Sequence, residues 1–262
     1  MRNMQPRLLS EERRREILEL LEEQGRVTVD SLADSFRVSA VTIRADLDDL
    51  GAKGLLVRSH GGAILPLSPK QEYPLQLKKT LHHAEKVRIG RVAAQLIQPR
   101  QTVIIDGGTT TAEVARALKR TSPEALTVIT HALNIALELA DSPNISLIVI
   151  GGVFRHISRS FVGPPAERMM SDLHADHFFL AVDGLDPETG PSTPDVLEAQ
   201  LNAQMIRAAR EVSVIADATK FGRRSLSVIG DIRSIHRVIT DSRVNEEVVC
   251  QLRKMGIEVV VV

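Results

Sequence analysis

The residues with the most chemistry to offer come in short runs. Asp106-Gly107-Gly108-Thr109-Thr110-Thr111 joins a carboxylate to two glycines and three hydroxyls. Glycines let a backbone approach an anion closely, hydroxyls add donors, and a helix starting at this point would add unpaired amides and a positive dipole. The set suits a phosphate. No Gly-Lys-Ser/Thr follows, so it is not a nucleotide P-loop, and by spacing alone a strand-to-helix turn with capping threonines has the same appearance. In Thr130-His131-Ala132-Leu133-Asn134, Thr130 and His131 can touch a ligand, while Asn134 can cap a helix instead. Gly152, in Gly151-Gly152, again permits close backbone approach, and Lys220 in Asp217-Ala218-Thr219-Lys220-Phe221 can bring a point charge to a phosphate or sugar oxygen. Asp183 and Glu198 are carboxylates suited to sugar hydroxyls or an amino group. They also suit general-base catalysis, which keeps open an isomerase or deaminase acting on a sugar phosphate.

A second group lies near the N-terminus. Ser39, Val41, Thr42 and Arg44 fall at the start of a helical pattern, where small groups and a guanidinium can enter a major groove and meet base edges or phosphates. Arg58 and His60 lie on a hairpin, at and before the turn His60-Gly61-Gly62, from which they can reach an adjacent phosphate or the minor groove. Asp46, Asp48 and Asp49 on the same helix must point away from DNA or pair with Lys53 and Arg44. A three-helix module that binds protein is the other reading of this pattern.

The elements that position these groups follow from periodicity. Ser10 is expected to cap a first helix carrying Ile17, Leu18, Leu20 and Leu21 and ending at Gly25; Val27–Val29 is a short strand; Asp30 caps a second helix with Leu32, Ala33 and Phe36 inward. The tight connection Arg37-Val38 leads to Ser39, the cap of a third helix, and Leu55–Arg58 and Ala63–Leu65 form a hairpin. This is the order of a winged helix-turn-helix over residues 1–65. Pro66, Pro69 and Pro74 mark a linker, residues 66–84. Across 85–262, strands at Thr102–Asp106, Leu126–Thr130, Ser146–Ile150, His177–Val182, Val212–Asp217, Arg237–Thr240 and Ile257–Val261 alternate with helices at Glu85–Ile97, Thr111–Arg120, Ala132–Ala140, Pro165–Leu173, Leu197–Ala209 and Glu246–Met255. The apolar strand runs predict a layered α/β domain with a largely parallel sheet, whose ligands gather at the strand ends.

Composition narrows the function classes. The 262 residues carry 33 Lys and Arg against 33 Asp and Glu, which argues against a protein that coats itself with nucleic acid. Residues 1–65 hold ten basic and eleven acidic side chains, so any DNA contact depends on how charge is arranged in space. No apolar run reaches membrane-spanning length, the polar N-terminus has no secretory pattern, and Cys250 is the single cysteine, expected to be a small buried residue. A cytoplasmic protein is expected. Adjacent His82 and His83 do not share a helix face and are expected to be a solvated pair; no metal and no cofactor is expected.

The chain resembles the DeoR family of transcriptional repressors. The resemblance is carried by Arg13–Leu18, Ser39–Leu47 and the wing Gly54–Ala63, then by Ile89-Gly90, Asp106–Thr111, Thr130–Asn134, Gly151-Gly152, Asp176, Asp183-Gly184, Glu198-Ala199 and Lys220–Arg223. Asp183–Leu185, Pro187–Gly190, Ser192-Thr193 and Glu198-Ala199 are most similar to the amino-sugar, AgaR-like regulators. The departures are Arg37, where the family commonly has Gly; Ala45, where many members have a basic residue; His131, usually Asn; and Pro191 and Pro194. The resemblance implies a non-enzymatic repressor of a carbohydrate-utilisation operon that binds double-stranded operator DNA as a homodimer or homotetramer. It also implies a sensor domain related in fold to ribose-5-phosphate isomerase, and release from DNA by a phosphorylated sugar, which the AgaR-like likeness narrows to an amino-sugar phosphate.

Overall fold

The computed structural model of the chain describes residues 9–65, 72–121 and 123–262; Pro66 and Pro69 lie outside them. The fold has two compact units that divide between His82 and His83. The first runs α1 (Ser10–Gln24), β1 (Arg26–Thr28), α2 (Val29–Phe36), α3 (Ala40–Ala52), β2 (Val57–Ser59), β3 (Gly62–Ile64) and α4 (Leu75–Thr80), with the strands in the antiparallel order β1-β3-β2. This is the expected winged helix-turn-helix. The caps differ in detail. Leu9 precedes α1, its amide donating to Glu12 Oε2 at 2.9 Å, so Ser10 is already helical. Thr28, not Asp30, caps α2 by accepting from the Ser31 amide. Ser39 caps α3 as expected, its Oγ accepting from the Thr42 amide at 3.1 Å.

Ile17, Leu18 and Leu21 of α1, Leu32 of α2 and Ile43, Leu47 and Leu50 of α3 form the head's core, and Leu77 and Leu81 are buried with them. The described part of 66–84 is therefore not an extended linker. Leu77 and Leu81 stand four apart, on one helical face, and burying that face holds α4 to the head. His82 is not solvated either: it is 4% exposed, with Nε2 2.9 Å from Glu22 Oε2.

The second unit runs α5 (His83–Gln95), β4 (Thr102–Ile105), α6 (Thr109–Thr121), β5 (Leu126–Thr130), α7 (Leu133–Leu139), β6 (Ile145–Val149), β7 (Val153–Arg155), β8 (Ser160–Val162), α8 (Pro164–Met170), β9 (Ala175–Leu180), β10 (Gly184–Asp186), β11 (Gly190–Thr193), α9 (Val196–Ala208), β12 (Ala209–Ile215), β13 (Ser227–Val228), β14 (Arg237–Thr240), α10 (Glu246–Lys254) and β15 (Glu258–Val261). Seven strands form one wholly parallel sheet, ordered β15-β14-β12-β9-β4-β5-β6. Side chains alternate between its faces. Ile104, Phe178 and Val214 pack under α8, α9 and α10, whereas Val103, Ile105 and Phe179 pack under α5, α6 and α7. All seven sheet strands were expected. The hairpin β7-β8 and the small sheet β10-β11-β13 were not, because two to four residues give too little alternation to read. Cys250 is exposed on α10 rather than buried.

The chain leaves β4 toward β5 and β6, then returns to place β9 on β4's other side. The helices following β4 and β9 pack on opposite faces, the topology at which such sheets carry a crevice outside the strands' carboxyl ends. Asp106 follows β4 at that point.

Candidate functional site

In the head, α3 carries the residues expected to read DNA on its first turns. Val41 is 71% exposed and Arg44 is exposed, with Thr42 half-buried between them, while Ile43 and Leu47 turn inward. The acidic residues of α3 face other partners. Asp46, 2% exposed, takes Arg13 Nε at 2.6 Å and Arg14 Nε at 2.9 Å; Asp49 takes Arg14 and Lys53; Asp48 takes Arg58 Nε at 3.0 Å. Arg44 pairs with none of them. Arg58 also donates to the Gly62 carbonyl at 3.0 Å, so it braces the wing, whereas His60 at the turn is exposed. The turn before α3 keeps its left-handed residue: Arg37 has φ 53° and ψ 45°. A side chain in that region costs about 1 kcal/mol.

In the second unit, Asp106 is the hub of the crevice. It is 1% exposed; Oδ1 accepts from the Gly107 amide at 2.7 Å and meets His131 Nε2 at 2.8 Å, and Oδ2 accepts from the Ala181 amide and Asn202 Nδ2. It thereby ties the ends of β4 and β9 to α9. His131 is fully buried, with Nδ1 2.9 Å from the Phe161 carbonyl. The Phe161 carbonyl only accepts, so Nδ1 donates to it, while Nε2 lies between Asp106 Oδ1 and the Gly107 amide, which is 3.3 Å away. Burial pulls its pKa down, but the hydrogen bond and charge of Asp106, the charge of Glu198 and the Phe161 carbonyl outweigh burial and hold it above the ordinary value. Both nitrogens being engaged, His131 supports the loop from beneath.

The loop itself is built by close packing. Neither Gly107 nor Gly108 has a positive φ. A Cβ at Gly108 would lie 2.9 Å from Ala181 Cβ, so glycine here serves to bring β4 and β9 together. Helix α6 begins at Thr109, two residues earlier than expected. The amides of Gly108, Thr109, Thr110 and Thr111, at the helix's open end, donate to no acceptor among the described residues. Around them Thr111 Oγ1, Asn134 Oδ1 and Asn202 Oδ1 are buried without a hydrogen-bond partner. Native interiors leave few such atoms, so three around one helix start mark a place built for polar company.

The other expected residues are distributed along the same edge. Thr130 is fully buried and its Oγ1 accepts from the Ala132 amide; Asn134 does not cap α7 but donates to the Gly108 carbonyl. Glu198, capped by Asp195, receives Thr193 Oγ1 and Arg155 Nη1, the latter at 2.6 Å. Lys220 sits in a 3-10 turn after β12, half-buried, with no carboxylate partner among the described residues. Strand β12 is two places from β4, which puts that turn about 10 Å along the edge from Asp106. Asp183 follows β9, its amide bonded to the Ser192 carbonyl. Gly152 is explained within the fold, since a Cβ there would lie 2.7 Å from the Val162 carbonyl. Asn202, Arg155 and Ser160 went unseen in the sequence. Asn202 was findable, one turn after Glu198 on the same face of α9; Arg155 and Ser160 sit on the unforeseen hairpin. Among the described residues, no group of His, Cys, Asp or Glu is placed to hold a metal, and no helix is long and apolar enough to cross a membrane.

Comparison with known proteins covers both units. Residues 13–68 match the DeoR-like helix-turn-helix domain and residues 81–242 the DeoR C terminal sensor domain. A protein of Escherichia coli O157:H7 described as an aga operon transcriptional repressor is 38% identical over 96% of this chain and 93% of its own length. The glycerol-3-phosphate regulon repressor of Escherichia coli K12 is 34% identical over 86% of this chain and 88% of its own. Among solved structures, ribose 5 phosphate isomerase A from Neisseria gonorrhoeae aligns with TM-score 0.40 at 12% identity, over 59% of this chain and 57% of the isomerase, a likeness too slight to argue from.

Proposed function

The chain belongs to the DeoR family of DNA-binding transcriptional regulators, and from that premise we propose that it represses a carbohydrate-utilisation operon until a phosphorylated sugar binds its C-terminal crevice. The observation that carries this reading is the start of α6: four unengaged amides beside the buried, unpartnered Thr111 hydroxyl. Amides at a helix N-terminus with a hydroxyl among them favour a phosphate. Lys220 adds positive charge at the same edge. Glu198, Asp183 and Thr193 suit the hydroxyl end of a sugar, or an amino group in place of one hydroxyl. A relative named for glycerol-3-phosphate is in keeping with a small phosphorylated polyol.

At the other end, Ser39, Val41, Thr42 and Arg44 enter the major groove, Val41 offering apolar contact to a thymine methyl, and His60 on the wing contacts the backbone. One head makes few contacts, so the working species is a homodimer or homotetramer in the cytoplasm that meets paired half-sites. The ligand is bound and not turned over, His131 having no free nitrogen with which to move a proton. Ligand and DNA oppose each other by linkage, each weakening the other by the same factor.

The test is a thermal-shift screen of phosphorylated sugars on the wild type, Lys220→Ala and Thr111→Val. A sugar phosphate is expected to raise Tm in the wild type and much less in either variant, while its unphosphorylated sugar does nothing. Equal shifts in all three proteins would remove the crevice from effector binding. Turnover of the sugar phosphate would replace the regulator with an enzyme.

A further inference from the structure

We propose that Arg37, in the turn between α2 and α3, is a DNA-backbone clamp that steadies the reading helix from outside the groove. This rests on the DNA-binding reading of the head. Acidic side chains of the head occupy Arg13, Arg14, Lys53 and Arg58. Among the described residues, Arg37 and Arg44, which stand on either side of the cap of α3, have no such partner and are exposed, as are Arg15 on α1 and Arg26 on β1. Net charge therefore conceals that two of these four cations stand at the start of α3, one in the turn and one a helical turn in.

Arg37 stands two residues before Ser39, the cap of α3. Two residues of extended chain span about 7 Å, so the guanidinium starts beside the exposed first turn that carries Val41. Val38 turns partly inward and Ala40 is small, which leaves Arg37 as the cation on that flank. Its backbone is left-handed, a conformation that glycine adopts freely and arginine does not. Among the described residues the side chain engages nothing that would justify holding an arginine there. A phosphate bordering the groove would, since guanidinium forks match phosphate oxygens.

The experiment compares wild type, Arg37→Gly, Arg37→Lys and Arg44→Ala as full-length proteins. Each is titrated onto a short fluorescein-labelled duplex of mixed sequence as salt is varied from about 50 to 200 mM. Arg37→Gly suits the positive φ, so its Tm should equal or exceed that of the wild type. Its DNA affinity should nonetheless fall by about tenfold, with the slope of log affinity against log salt shallower by about 0.9 per bound head. Arg37→Lys keeps the charge and should keep the slope. Unchanged affinity and slope in Arg37→Gly, with Arg44→Ala still impaired, would overturn the clamp and leave the head a DNA reader. A wild type that binds no duplex at low salt would overturn both.

Discussion

Asp106 and His131 meet in a place water does not reach, and each depends on the other. The Asp106 carboxyl holds the Gly107 and Ala181 amides, Asn202 Nδ2 and His131 Nε2, and the ring's Nδ1 is held by the Phe161 carbonyl. Breaking a buried pair by removing one charge typically costs about 3–5 kcal/mol, because the survivor is left uncompensated. Asp106→Asn is nearly isosteric, yet it removes the charge that holds the His131 pKa up. It should lower the urea-unfolding stability of the C-terminal unit by about 3 kcal/mol and abolish effector-induced stabilisation. A midpoint equal to the wild type would mean that the pair is not ionised. The sequence showed Asp106 and His131 as neighbours of a ligand but not that they would be spent on each other. Nothing in residue type distinguishes a histidine that faces a ligand from one sealed beneath a loop.

The elements were far more legible than their ends or their joins. Seven apolar runs became the seven parallel strands because a strand covered on both faces has no polar side to hide its pattern. Six helices appeared with their ends displaced by a few residues. The crevice was readable as strand ends, but the crossing from β6 back to β9, which decides where the crevice opens, is a property of strand order and not of any one segment. The hairpin bearing Arg155 and Ser160 was invisible because three-residue strands have no period. Helix α4 was missed for another reason: prolines drew attention to an extended connector, while the Leu77 and Leu81 pair pointed to a docked helix. That docking predicts a specific cost. Leu77 is fully buried in the head's core, so Leu77→Ala should destabilise the head by about 2–4 kcal/mol, seen as earlier melting of its helices and weaker DNA binding. A residue in a mere connector would lose nothing measurable.

For the whole molecule, two buried histidines set opposite limits on stability. His177, on β9, hydrogen-bonds Ser213 at 2.8 Å and stacks on Phe179. Burial pushes its pKa down to about 4 from 6.5, against the pull of Glu211. It is neutral when folded, so between pH 6.5 and about 4 the unfolded chain binds a proton that the folded one refuses, and stability falls with acidity by about 3 kcal/mol. His131 has the opposite sign. Its folded pKa is raised, so its contribution is full below 6.5 and drains away as pH rises through the elevated value. Urea midpoints of the C-terminal unit should therefore peak near pH 6.5 and decline on both sides. His177→Gln should flatten the acid limb alone. A profile that keeps rising toward acid would contradict the neutral assignment of His177.

The carboxylate shared by Arg13 and Arg14 reaches further than its own pairings. It pins α3 to α1 through two cations at once, from beneath, leaving the outward turns uninvolved in holding the helix at its angle. On the proposed reading of the head, Val41, Thr42 and Arg44 are interchangeable bits on a fixed mount. A lineage could exchange them and acquire a new operator without re-aiming the tool, and an engineer seeking altered sequence preference should start with those three positions and leave Asp46 alone.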